Sequence, residues 1–171
     1  MEGIRLVRVV KIDGDEGLLE SIDGLYRRVW NQSIKERLEK HMKYDGFRGY
    51  IMKSDDDEII GFSYGYISRS GQYYHDLLAN ELGPIKYEKW LEDCFEFVEL
   101  AVHPNHRNQG YGTILIHELL KEVTNKTTVL TTQVNNSSAR NLYQRLGWLV
   151  VKEPFVPSKN DSPYVIMGKD L

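Results

Sequence analysis

The run Glu99-Leu100-Ala101-Val102-His103-Pro104-Asn105-His106-Arg107-Asn108-Gln109-Gly110-Tyr111-Gly112-Thr113 constrains this chain more than any other. A strand-like stretch, Phe95 to Val102, ends in a polar loop with two glycines. A helical stretch from Thr113 to Val123 follows, with Ile116, Leu119, Leu120 and Val123 on one stripe. A helix N-terminus carries unpaired backbone N–H groups and about half a positive charge, which suits a phosphate or pyrophosphate. Gly110 and Gly112 let the backbone approach those oxygens, and Arg107 adds a full charge at the mouth. The glycines alone are weak evidence. A dinucleotide fingerprint needs a third glycine and a Walker A loop needs Gly-Lys-Ser/Thr, so a nucleotide-binding protein is a poor match.

Around this run the chain reads as one mixed α/β domain, residues 1–171. An initial strand, Ile4 to Val10, leads to a helix with Leu18, Leu19, Ile22, Leu25, Tyr26 and Val29 at three-and-four spacing. A second short helix is expected over Ser33 to Met42, with Ser33 as N-cap and Glu36 at the capping-box position. Phe47 to Lys53 and Ile59 to Ser68 form a hairpin about the acidic turn Asp55-Asp56-Asp57-Glu58, and Gly65 hints at a bulge or close backbone approach. Residues 69–92 form a polar, aromatic excursion with short helices at Tyr73–Asn80 and Tyr87–Asp93 around Gly83-Pro84. After Phe95 to Val102 and its helix come a strand, Thr127 to Val134, a helix, Asn136 to Leu146, stopped by Gly147, and strands at Trp148 to Val151 and Tyr164 to Met167.

Composition excludes several classes. Net charge −3 leaves no bulk positive field for nucleic acid. No window is long or apolar enough to span a membrane, so no membrane partner is expected. A single cysteine, Cys94, excludes an internal disulfide, and Met1-Glu2-Gly3 does not open a signal peptide, so the expected location is cytoplasmic.

The strand after the glycine helix leads into Asn135-Asn136-Ser137-Ser138-Ala139-Arg140-Asn141-Leu142-Tyr143-Gln144-Arg145-Leu146-Gly147-Trp148. R-x-x-G-x-G followed by N-x-x-A-x-x-x-Y-x-x-x-G-aromatic resembles the GNAT superfamily of N-acetyltransferases, over about Phe95 to Trp148. Asn108 stands where many members carry another glycine, and asparagine suits a turn there. The resemblance implies a central mixed, mostly antiparallel twisted sheet flanked by helices and splayed between the fourth and fifth strands. It further implies that the loop Arg107, Asn108, Gln109, Gly110, Tyr111, Gly112, with the helix starting at Thr113, holds the pyrophosphate of acetyl-CoA. The backbone of Leu100, Ala101 and Val102 would pair with the pantetheine arm like an added strand. Asn136, Ser138 and Asn141 lie where members contact that arm.

Tyr143 matches the family's general acid. A phenol of pKa about 10 can protonate a departing thiolate without being an acid at rest. The same Tyr143 also lies on an apolar helix face with Ala139, Leu142 and Leu146, where a core role is ordinary. The acceptor amine, mostly ammonium at neutral pH, must lose a proton, and a carboxylate or a water can take it. Glu96, five residues before Ala101, occupies the position of the base in several family members, and Glu99 is the second candidate. Their parity differs, so they face opposite sides of a regular strand. Cys94 has no neighbouring His to activate it. His103 and His106 flank a proline, and no cluster completes a metal set, so no metal is expected. His75 sits in a segment suited to line an acceptor pocket or to form an ordinary surface helix.

The expected reaction is transfer of the acetyl group of acetyl-CoA, the co-substrate, to a small-molecule primary amine, by direct attack in a ternary complex. The alternative is a non-catalytic coenzyme A-binding regulatory module. Dimers are common in the family, so the resemblance admits a homodimer.

Overall fold

A computed structural model of the chain describes residues 6–171. Ile4 and Arg5 of the expected first strand, and the Met1–Gly3 stretch, lie outside the described residues. Seven strands form a sheet: β1 (Val7–Lys11), β2 (Arg48–Ser54), β3 (Ile59–Ile67), β4 (Cys94–Val102), β5 (Thr127–Gln133), β6 (Leu149–Phe155) and β7 (Tyr164–Asp170). Their order is β1-β2-β3-β4-β5-β7-β6. The β1/β2, β2/β3, β5/β7 and β6/β7 pairs are antiparallel. The β4/β5 pair is parallel, joining Cys94, Phe95 and Glu96 to Thr127, Thr128 and Val129, short of the ends of both strands. The helices are α1 (Glu16–Trp30), α2 (Lys35–His41), α3 (Tyr73–Trp90), α4 (Tyr111–Leu120) and α5 (Ser137–Arg145). The expected mixed, mostly antiparallel α/β fold is therefore present. No helix among the described residues is long and apolar enough to cross a membrane.

By its internal contacts the chain divides into two compact units. One takes in the described residues up to Tyr66 together with Val98–Glu122; the other takes in Ile67–Phe97 and Val123–Leu171.

In the first unit, the α1 stripe buries Leu19, Ile22, Leu25 and Tyr26 with Ile34, Leu38, Ile51, Phe62, Tyr64 and Ala101. The Asp15 side chain caps α1 by accepting from the Leu18 N–H at 2.9 Å. The α2 helix departs from expectation. It starts at Lys35, and Ser33 does not cap it. Instead, Oδ1 of the buried Asp23 on α1 accepts from the Ser33 hydroxyl (2.7 Å) and from the Ile34 (2.7 Å) and Lys35 (3.1 Å) N–H groups. A charged acceptor in the core satisfies more donors than a local hydroxyl can, so the neighbouring helix supplies the cap. Burial pushes the Asp23 carboxyl up, but these hydrogen bonds outweigh it and hold the group below the usual carboxylate range. In the hairpin, Gly65 pairs regularly with Arg48, and the register irregularity falls between Met52 and Lys53. Gly61 makes a close approach as well: a Cβ there would stand 2.7 Å from the Ala101 carbonyl oxygen.

In the second unit, the span α3 holds two helical segments, as expected, which meet at Gly83, whose φ of 73° and ψ of 175° interrupt the helix before Pro84. Leu78, Leu82, Leu91, Cys94, Val129, Val151, Phe155 and Ile166 form its core. His75 is neither a surface residue nor an open pocket wall. It is 2% exposed, its Nδ1 2.7 Å from the Ser68 hydroxyl and its Nε2 3.0 Å from the Tyr87 hydroxyl. It ties the excursion to the end of β3.

Candidate active site

In the first unit, β4 ends at Val102 and the chain passes through a single 3-10 turn, Pro104–His106. The His103 Nδ1 accepts from the Asn105 N–H at 3.1 Å, so this histidine organises the turn. Arg107, Asn108 and Gln109 are exposed. Asn108 takes a φ of 62°, the left-handed region that asparagine tolerates better than most residues. Gly110 follows at φ 80°, ψ 5° and is the N-cap of α4. A Cβ at Gly110 would meet nothing within 4 Å, so conformation, not space, calls for glycine.

The helix therefore starts at Tyr111, two residues earlier than the expected Thr113. The cause is the left-handed turn at Gly110, which puts Tyr111, Gly112 and Thr113 in the first turn rather than in the loop. No side chain caps this end. The Ile114 N–H reaches the Gly110 carbonyl at 3.2 Å, so the N–H groups of Tyr111, Gly112 and Thr113 precede the first intrahelical bond. Uncapped donors, a helix dipole and the Arg107 charge suit a diphosphate. Leu100, Ala101 and Val102 lie just upstream at the end of β4.

Glu99 stands on the same part of β4. Its side chain is 14% exposed and ion-paired with Arg37 of α2, Nη2 to Oε1 at 2.6 Å. The Tyr26 hydroxyl of α1 donates to the same Oε1 at 3.4 Å and accepts from Arg37 Nη2 at 3.0 Å. Burial pushes the Glu99 carboxyl up, opposed by Arg37 and Tyr26. Burial and the Glu99 charge raise the Tyr26 phenol to about 12. Sequence reasoning missed Arg37 and Tyr26. The signal was available: Ile34, Leu38 and His41 mark the inner face of α2, and Arg37 falls beside it, where a charge requires a partner.

The second unit holds the other candidates. Glu96 is 3% exposed, in register with Val129. Burial, with the Glu96 charge second, pushes up the thiol of the fully buried Cys94, which keeps it protonated and unreactive. The two carboxylates have different surroundings, as their parity requires. Tyr143 is buried on α5, its ring 6.2 Å from Phe97 and 5.7 Å from Trp148. Asn136 is the α5 N-cap; its side-chain oxygen accepts from the Ala139 N–H at 3.2 Å. Ser138 and Asn141 are exposed on the same helix. Arg140, another residue the sequence did not single out, donates to the Val134 carbonyl and to both Glu153 oxygens, fixing the turn into α5. Among the described residues no group of three or more His, Cys, Asp or Glu is arranged to hold a metal ion.

The model of the Acetyltransferase (GNAT) family matches residues 16–148. The chain belongs to this family. Solved structures carry the same fold across nearly the whole of this acetyltransferase. The Arabidopsis thaliana NAA60 complex with acetyl-CoA superposes with a TM-score of 0.71 at 15% identity, covering 97% of this chain and 99% of that one. The ribosomal-protein-S18-alanine N-acetyltransferase from Escherichia coli gives 0.69 at 15% identity, over 96% and 94%. An aminoglycoside 6'-N-acetyltransferase complexed with coenzyme A gives 0.66 at 19% identity, over 95% and 96%. At these identities the likeness establishes the fold. Comparison of the sequence with curated proteins finds no match.

Proposed function

We propose that this GNAT acetyltransferase, acting as one domain over residues 1–171, moves the acetyl group of acetyl-CoA to a primary amine by direct attack in a ternary complex. The observation that carries the reading is the uncapped start of α4, opened by Gly110 inside the family-matched span. Bound acetyl-CoA supplies the activated acyl group. The donors of Tyr111, Gly112 and Thr113, with Arg107, Asn108 and Gln109 at the mouth, suit its diphosphate in number and charge. The backbone of Leu100, Ala101 and Val102 suits the pantetheine arm as an added strand, with Asn136, Ser138 and Asn141 as further contacts.

Tyr143 acts as the acid that returns a proton to the thiolate. Glu96 and Glu99 are the two candidates for the base, and the surroundings of Glu99 suit that role. Glu99 has one oxygen anchored by Arg37 and Tyr26, and its Oε2 has no hydrogen-bond partner among the described residues. A burial-raised carboxylate is also better matched to taking a proton near neutral pH. The acceptor is a small-molecule amine, favoured by the acidic balance of the chain.

The test is release of free thiol from acetyl-CoA across a panel of amines, including a polyamine, an aminoglycoside, amino acids and a peptide N-terminus. Amine-dependent release from a small molecule is expected. Tight acetyl-CoA binding with no release for any amine would replace this reading with a non-catalytic module.

A further inference from the structure

Three elements converge on one carboxylate oxygen. Arg37 from α2 and Tyr26 from α1 both donate to Oε1 of Glu99 on β4, and Arg37 also donates to Tyr26, closing a triangle. Its guanidinium lies 5.7 Å from the Tyr26 ring centroid, which holds the side chain over the phenol. We propose that Arg37, supported by Tyr26, is the positioning residue for the catalytic base: it pins Oε1 of Glu99 and keeps the carboxylate ionised, so that Oε2 accepts a proton from the acceptor's ammonium. The inference rests on the acetyl-transfer reading and deepens it at the base.

The step balances simply. The acceptor R–NH3+ breaks one N–H bond, the proton goes to Glu99 Oε2, and the lone pair left on nitrogen attacks the thioester carbonyl. No oxidant or reductant takes part. The triangle does two things for this step. Two donors on Oε1 stop the carboxylate from rotating, so one oxygen is reserved for structure and the other for the amine. The adjacent guanidinium also offsets the cost of a largely buried negative charge, which would otherwise favour the neutral acid that cannot act as a base. Among the described residues, the groups acting on Glu99 are Arg37 from α2 and Tyr26 from α1; Arg37 in turn faces Tyr64 of β3 and lies near His41 at the end of α2. Arg37 suits this place better than a lysine, because a guanidinium can serve the carboxylate and the phenol from one planar group.

The experiment is the pH dependence of kcat/KM for the wild type, Arg37→Gln, Arg37→Lys, Tyr26→Phe and Glu99→Gln, on the amine that works best in the panel. An opposite charge at this range lowers a carboxyl pKa by about 1–3 units. Removing it in Arg37→Gln should therefore move the acidic limb up by about 1–3 pH units. The rate should drop about tenfold or more below the limb and recover toward wild type above it. Arg37→Lys should bring the limb most of the way back, Tyr26→Phe should move it less than Arg37→Gln, and Glu99→Gln should remove it. A structural role alone would lower the rate equally at every pH and leave the limb in place; that result overturns the proposal. So does a limb that survives Glu99→Gln. A second readout needs no turnover: NMR titration of the Glu99 carboxyl carbon should show an upward shift in Arg37→Gln, and an unchanged titration overturns the proposal. If no amine is acetylated, the acetyl-transfer reading falls, while this titration still decides the Arg37–Glu99 coupling.

Discussion

The N-termini of α4 and α5 follow the same chain pattern, strand then loop then helix, and are finished in opposite ways. At α5 the Asn136 side chain accepts from the Ala139 N–H, and α1 is closed likewise by Asp15. At α4 the cap is Gly110, with no side chain to offer. A helix end left without an internal acceptor costs stability unless water or a ligand takes its donors. The difference separates helix ends closed by the fold's own side chains from one whose donors are left open to a ligand of the kind proposed above. It also separates the two helices' contributions: α4 offers backbone donors, whereas α5 presents a buried phenol among aromatic rings.

The sharpest way to break this contrast is Tyr143→Phe. Loss of a general acid costs about 10²- to 10⁴-fold in turnover, and coenzyme A affinity measured by calorimetry should stay within about twofold. A large loss of affinity would make α5 a binding element like α4. Next is Arg107→Ala. A hydrogen bond to a charged group contributes about 1.5–3 kcal/mol, so coenzyme A should bind about 10- to 100-fold more weakly, by an amount that shrinks as salt rises. Affinity unchanged at low salt would remove the anion role from this loop. Smaller still is Asp15→Ala, which should cost about 1 kcal/mol in urea unfolding through its lost cap, with coenzyme A affinity unchanged. A parallel loss of affinity would blur the line between capped and uncapped ends.

Apart from the helix ends, a pH dependence in the first unit offers a further check. Burial first, then the Arg37 and Lys40 charges, depress the His41 imidazole to about 4, with its Nδ1 2.9 Å from the Tyr64 hydroxyl. The unfolded chain takes up this proton at about 6.5. Between those values the unfolded state binds more protons than the native one, so stability falls as pH drops from about 6.5 toward 4 and levels off below. Urea midpoints at pH 7 and pH 5 should differ less in His41→Gln than in wild type.

The sequence revealed most of the fold because its signals are local. The α1 stripe, the hairpin about Asp55–Glu58, and the strand–glycine–helix run each depend on residues adjacent in the chain. What it concealed depends on pairs far apart. The S-x-x-E pattern at Ser33 describes one stretch of chain, yet the cap of α2 comes from Asp23 on another helix. The same holds at the site. Glu99 was identifiable by its position on a strand, but Tyr26 and Arg37 lie 73 and 62 residues away from it, and only the packing of two helices on β4 brings them to its oxygen. The helix α4 starts two residues before the sequence pattern does, because a glycine's φ is not written in its neighbours.

The chain's single cysteine has a practical consequence. Cys94 lies at 0% exposure with its thiol pushed up by burial, so a chromogenic disulfide reagent added to the folded protein records the liberated carrier thiol against a silent protein background. The same atom then serves a second purpose. Under denaturant it becomes a lone, stoichiometric label for the opening of the second unit, readable in the same cuvette.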